Sequence, residues 1–291
     1  MTYFGFLLRF LVVPIVIFAG LEFWAVRKGW RREGAVAKWP ILLMVLIALV
    51  YTTPWDNYLV ATGVWWYNPE LVTGIVFGWV PIEEYTFFVL QPIMVGLWLA
   101  LWARALTPNP SPAGRGESLP LSHGERGLGG EGRWRWGMLA SVAGIWVGSV
   151  VLLASGWRPG TYLGLELVWA LPPVMIQLAF GGDILRRYWK LTLLGIVIPS
   201  LYLSAMDSLA ITAGTWTIDP AQSTGIMLGG VLPIEEAVFF TLTNVLVTIG
   251  LVLVWAPESR ARMRAFSTKV TKFTKGNEEK VLMNMAEEKL G

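Results

Sequence analysis

The chain has 291 residues, 55% of them apolar and 15% charged, against about 25% charged in an average soluble domain. With no cysteine and a single histidine, His123, it excludes disulfides, iron–sulfur clusters, thiolate metal sites and multi-histidine centres, and leaves acid–base chemistry to carboxylates. The net charge of +3 would suit nucleic acid, but the basic residues cluster beside long apolar runs, where they read as membrane-topology signals; no nucleic-acid partner is expected.

Those runs reach about 20 residues or more, the length needed to cross a hydrocarbon core of roughly 30 Å. In chain order they predict seven membrane helices: Tyr3–Val26, Trp39–Val60, Ile75–Ala103, Trp136–Gly156, Thr161–Phe180, Leu191–Ala213 and Ile226–Trp255. Many of the 17 tryptophans lie near the ends of these runs, as interface anchors do. The first run is too long for a signal peptide and lacks a small-residue cleavage site. Arg27, Lys28, Arg31, Arg32 and Lys38 follow the first span, and Arg186, Arg187 and Lys190 follow the fifth. The tail, 257–291, carries Arg260, Arg262, Arg264, Lys269, Lys272 and Lys275. The opposite loops are nearly free of Lys and Arg, Arg158 excepted. Positive charge gathers on the cytoplasmic side, so the N-terminus is expected outside and the tail inside a cell membrane.

After the third span the composition turns to Pro, Gly, Ser and Arg. Residues 104–135 cannot bury enough apolar surface to fold and are expected to be a disordered cytoplasmic linker. Its formal G-x-G-x-x-G at Gly127, Gly129 and Gly132 has no strand before it and reads as chance. A connector helix at 136–156 follows.

The chain also repeats itself. "TYFGFLLRFLVVP" at Thr2–Pro14 matches "TYLGLELVWALPP" at Thr161–Pro173. Further on come Asp56/Asp207, Gly63/Gly214, Trp65/Trp216, Pro69/Pro220, Gly74/Gly225, Gly78/Gly229, Pro81/Pro233, Glu83/Glu235, Glu84/Glu236, Phe87/Phe239 and Phe88/Phe240. Spans one to three (1–103) thus correspond to spans five to seven (157–256). An offset of four spans keeps both copies in the same orientation, so a pseudo-twofold axis along the membrane normal is expected, with a shared site at the interface.

Each copy places an Asp at the end of its second helix, then an apolar loop, Gly-x-x-x-Gly, and Pro-Ile-Glu-Glu-x-x-Phe-Phe. The Gly pairs are expected to serve close helix packing. Pro followed by acids is also an ordinary helix start, which makes capping the plain reading of the Glu residues. Against it, apolar sequence precedes both prolines, and an acid held in mid-membrane costs about 2.5–3.5 kcal/mol on insertion scales. A carboxyl out of water favours its protonated form and can act as a general acid. Glu83, Glu84, Glu235, Glu236, Asp56 and Asp207 are therefore the candidate catalytic groups. Phe87, Phe88, Phe239, Phe240, Trp65 and Trp216 are candidate substrate contacts, since aromatic faces stabilise cations; ordinary core or lipid-facing packing is the alternative for each. Arg9 is either a counter-ion for a carboxylate or a snorkelling interface residue.

Two "PIEExxFF" motifs, each after an Asp-x₆-Gly-x-Trp stretch, resemble the membrane-integral lycopene cyclase family, the class without a flavin-binding fold. The resemblance covers nearly everything except the linker and the tail. The first copy has Gln91-Pro92 where the second has Asn244. The resemblance implies an all-α membrane fold and a cofactor-free, redox-neutral cyclisation of lycopene to β-ionone rings. It also implies a lipid-soluble carotenoid as substrate, membrane lipid around it, and other carotenoid enzymes as protein partners. A carotenoid hydratase would protonate the same alkene, and a proton-coupled transporter would also carry intramembrane acids on a repeat. No Asp-Asp-x-x-Asp cluster for a prenyl pyrophosphate is present.

Overall fold

The computed structural model describes residues 1–28, 36–106 and 124–268, together with 271 and 274. Arg31, Arg32, His123, Lys269, Lys272, Lys275 and most of the expected linker lie outside the described residues.

Among the described residues, seven helices are long and apolar enough to cross a membrane. They are α1 (Tyr3–Arg27), α2 (Trp39–Ala61), α3 (Ile82–Leu106), α4 (Gly124–Ala154), α5 (Thr161–Arg187), α6 (Trp189–Thr212) and α7 (Ile234–Trp255). The protein is an all-α, multi-pass membrane protein. The two helices that begin with the acid pairs form its centre: 61% of the apolar stretch of α3 and 56% of that of α7 are buried within the protein, against 6% for α4. α3 packs against α1, α2, α6 and α7, and α7 packs against α5, α6, α2 and α3. The connector α4 lies along the outside of α5. It starts earlier than expected, so Gly127, Gly129 and Gly132 fall within it, as helix and not as a phosphate-binding loop.

Prolines inside the helices bring the bundle together. A proline donates no hydrogen bond to the carbonyl four residues before it and leaves that oxygen free in an apolar layer. Pro14 frees the Phe10 carbonyl, just after a π-helical turn at Leu8–Val12, and the Tyr202 hydroxyl of α6 donates to it at 3.0 Å. Pro173 frees the Trp169 carbonyl, which receives the Tyr51 hydroxyl of α2 at 2.7 Å. Pro172 frees the Val168 carbonyl, which Trp146 Nε1 reaches at 3.2 Å. Two of these three bonds join spans one to three with spans five to seven.

The expected third and seventh helices begin later than hydropathy suggested. Residues ahead of Pro81 form a hairpin, β2 (Val76–Phe77) with β3 (Val80–Pro81), and a second hairpin, β5 (Met227–Leu228) with β6 (Leu232–Pro233), precedes α7; the strands β1 (Trp65–Tyr67) and β4 (Trp216–Ile218) come earlier in the two loops. The cause is local. Proline disfavours helical geometry in the residue before it. Gly74, Gly78, Gly225 and Gly229 all have positive φ, from +57° to +78°, a region open to glycine at no steric cost. These glycines make turns; they are not the helix-packing motif expected of Gly-x-x-x-Gly. The hairpins still carry exposed apolar side chains (Ile75, Phe77, Trp79 and Ile226), which is why hydropathy alone read them as helix. Above them β1 pairs antiparallel with β4, matching Trp65 to Ile218 and Tyr67 to Trp216. The Asn68 N–H to the Thr215 carbonyl and the Asp219 N–H to the Val64 carbonyl extend that pairing.

Candidate active site

Because each hairpin occupies the surface layer, α3 and α7 start below it. All four motif acids sit in a first helical turn and are nevertheless between 0% and 7% exposed. Both readings of the motif therefore hold together: the acids begin helices, and those beginnings are buried.

Within each pair the two acids face different partners, as a step of about 100° per residue requires. The first acid turns back to its own loop. Glu83 Oε1 accepts the Thr73 backbone N–H at 2.6 Å. Glu235 Oε1 accepts the Thr224 backbone N–H at 2.6 Å and its hydroxyl at 2.8 Å, and Glu235 Oε2 takes the Ser223 hydroxyl at 3.1 Å. Bonds of this kind to a carboxylate are among the stronger ones in proteins and pin the hairpin to the helix start.

The second acid turns to the interior. Glu84 Oε2 accepts the Tyr3 hydroxyl at 2.5 Å and the Tyr67 hydroxyl at 3.1 Å. Glu236 Oε1 accepts the Tyr162 hydroxyl at 2.8 Å. Burial pushes the Tyr67 phenol well above its ordinary range, and the nearby charges of Asp56 and Glu84 add to that, so Tyr67 keeps its proton as a donor to Glu84.

Glu84 and Glu236 line one chamber of about 40 Å³, together with Asp207. Its walls are aromatic: Tyr3, Trp65, Tyr67, Phe87, Trp216, Phe239 and Phe240. Tyr3 and Trp216 lie 5.0 Å apart by ring centroid, Trp65 and Phe239 6.3 Å, and Phe87 and Phe240 6.2 Å, so rings from both repeats interleave. Of the expected site residues, Glu84, Glu236, Asp207, Trp65, Trp216, Phe87, Phe239 and Phe240 meet here. Asp56 is buried at 1% exposure as a charge neighbour of Glu84, but it does not line the chamber. Phe88 is buried beside Tyr85 and Phe87 and faces an adjoining cavity. Arg9 is exposed, with Nη1 3.2 Å from Met1 Sδ, and is absent from the chamber lining. The counter-ion expectation for Arg9 does not match that position: the donors to Glu84 are tyrosines.

Several groups that shape the site were not singled out from sequence. Tyr3 and Tyr162 stand at matching positions of the two repeated segments, as do Thr73 and Thr224, and that pairing was the available signal. Glu166 is a different case. It is fully buried on α5 beside Tyr162, Glu236 and Glu235. Leu7 occupies the matching position of the first repeat, so Glu166 is a carboxyl that only the second copy has.

Two carboxyl groups on one water-poor, aromatic cavity can give a proton to an apolar substrate and take one back. A family model described as lycopene cyclase matches residues 1–102 and 159–256. A lycopene beta-cyclase of Halobacterium salinarum is 38% identical over 211 residues, covering 72% of this chain and 80% of that protein. Bifunctional lycopene cyclase/phytoene synthases of Phaeosphaeria nodorum and Podospora anserina are 35% identical over 216 residues and 34% identical over 209; each alignment covers 72% of this chain and 34% of the longer fungal protein. No solved structure matches the chain.

Proposed function

The chain belongs to the lycopene cyclase family, and from that premise we propose that it closes the ψ-ends of lycopene into β-ionone rings at the chamber shared by Glu84 and Glu236. A carboxyl proton is delivered to the terminal double bond of the ψ-end, leaving a tertiary cation. The next double bond attacks that cation and closes a six-membered ring, and a carboxylate removes a proton to form the ring alkene. One proton enters and one leaves, so the product is an isomer and no oxidant or reductant is consumed. The observation that carries this reading is that the two acids belong to different motifs, about 150 residues apart, yet line one cavity. A single ring closure needs an acid and a base, and this geometry offers both. Trp65, Trp216, Phe87 and Phe239 line the chamber, and an aromatic face set against the cation is worth roughly 0.5–2 kcal/mol.

Expression in a lycopene-accumulating host, with chromatography of the pigments, tests the reading. Cyclic carotene is the expected product. Hydroxylated lycopene would mean that water captures the cation, and unchanged lycopene would overturn the assignment.

Spans one to three and five to seven are read here as two parallel copies about a pseudo-twofold axis. Support comes from the matching hairpins, the matching positive-φ glycines and the matching tyrosine-to-carbonyl bonds. The acid end faces outward in a cell membrane, because Arg27, Lys28, Lys38, Arg186, Arg187 and Lys190 gather at the opposite end. Reporter fusions in the 68–72 loop should report the outside and fusions after Arg264 the cytoplasm; either landing on the other side would reverse the orientation.

A further inference from the structure

A second cavity, of about 160 Å³, adjoins the acid chamber and shares Phe87 and Phe239 with it. It is a largely apolar slot between α2, α3, α5 and α7, lined among others by Ile47, Ala48, Tyr51, Pro173 and Val247. A third cavity of about 240 Å³ lies between α1, α3 and α6. The two are counterparts in sequence: Ile198, Pro199, Tyr202, Pro14 and Val95 of the third cavity stand at the positions of Ile47, Ala48, Tyr51, Pro173 and Val247. The slot shares Phe87 and Phe239 with the acid chamber. The groove has no residue in common with the chamber.

The difference lies in a few side chains. Thr52, part of the slot lining, is matched in the other half by Leu203, which is 1% exposed. Gln91, part of the slot lining, donates from Nε2 to Asn244 Oδ1 at 2.7 Å, and Asn244 Nδ2 donates to Ser200 Oγ at 3.1 Å, a buried chain that ends next in sequence to the groove's Pro199. Phe18 and Trp98 pack across the groove at 5.6 Å, where the second repeat has Gln177 and Gly250.

We propose that the slot between α2, α3, α5 and α7 holds the polyene arm of the substrate, with Phe87 and Phe239 forming the passage to the acids, and that the matching groove in the other half takes no part. This rests on the cyclase reading. Only the reacting ψ-end needs to lie against the acids that line the chamber. The rest of a long, rigid hydrocarbon must leave the chamber by an apolar route, and the slot shares the chamber's wall. Both ends of a symmetrical carotene then use one opening in turn.

The test puts the same bulk at matched positions. Ala48→Phe fills the slot and Pro199→Phe the groove; Ile47→Trp and Ile198→Trp form a second pair at sites that are 48% and 44% exposed, where bulk should not disturb folding. Kinetics are measured on the full chain in lycopene-loaded vesicles, with thermal stability in detergent as the check on folding. Slot variants should lose at least tenfold in kcat/KM, mainly through KM, while groove variants stay within twofold of the parent. A shortened hydrocarbon carrying the same ψ-end should be turned over equally by the parent and the slot variants. Slot variants within twofold of the parent on lycopene, or equal losses in folded slot and groove variants, would overturn the proposal. A parent protein that makes no cyclic product would instead sink the cyclase reading itself.

Discussion

The two acid sites have one backbone plan and different surroundings. In the first copy Glu84 is held by two tyrosines, Tyr3 and Tyr67, while Glu83 has one backbone donor. In the second, Glu236 accepts from one tyrosine, Tyr162, and lies beside Asp207 and Glu166, while Glu235 takes three donors. Helix starts, hairpins and glycine turns demand particular backbone geometry and so match; the side chains around the acids are free to differ. Such a difference is what a division of labour needs.

The strongest way to break the comparison is to disable one copy at a time. Glu84→Gln and Glu236→Gln should each cost about 10²–10⁴-fold in turnover, the span of a lost general acid or base. Both should leave acyclic lycopene while still inserting normally. Substantial monocyclic product from both variants would show two independent sites, one for each end of the substrate.

Glu166 is the sharper asymmetry. Glu166→Leu gives the second copy the side chain the first already has. It should lower kcat roughly tenfold, about 1.4 kcal/mol of barrier, with KM within twofold. Thermal stability should hold or rise, because a fully buried carboxyl among other carboxyls is lost. An unchanged kcat would remove Glu166 from any role in proton handling.

Smaller effects follow from the tyrosines. Removing one neutral donor costs about 0.5–1.5 kcal/mol. Tyr162→Phe, which strips Glu236 of its one tyrosine, should therefore reduce kcat/KM more than Tyr3→Phe or Tyr67→Phe, which each leave Glu84 a donor. The reverse order would mean that the first copy depends more closely on its shell. The smallest effect is expected in the linker: replacing 107–123 with about ten flexible residues should leave turnover within twofold, since the stretch is rich in Pro, Gly and Ser and carries no part of either acid motif. A large loss with normal insertion would give the linker a role of its own.

Much of this was legible in the sequence. Seven apolar runs, the paired acids and the repeat all stand in one-dimensional pattern, because span length and like-for-like spacing are properties of order along the chain. The hairpins before Pro81 and Pro233 were missed because hydropathy records apolarity and not backbone geometry. The positive φ of Gly74 and Gly225 separates a turn from a packing motif, and neither spacing nor composition carries φ. Which Glu of each pair faces inward follows from a helix start that was placed too early. Tyr3 bonds a residue 81 positions away, and one sequence offers no means to see such a contact. Glu166 was hidden for the opposite reason: the search for matching positions passes over a residue that only one copy has.

The strand pair β1–β4 satisfies its backbone groups only while both halves are present. A half standing alone would hold an open strand edge at the rim of an apolar bundle, where unpaired N–H and C=O groups are costly and recruit whatever strand they meet. Antiparallel pairing of like strands is self-complementary, so the readiest partner for a lone half is another copy of itself. A freed half is thus expected to associate with its own kind, placing one acid from each molecule at the seam. Tethering the two in a single polypeptide replaces that concentration-dependent encounter with an effective concentration on the order of millimolar. The tether also fixes the pairing as unlike with unlike. Residues such as Glu166 and Leu7 can then differ from side to side without any sorting problem, which a symmetric pair of identical halves could never allow.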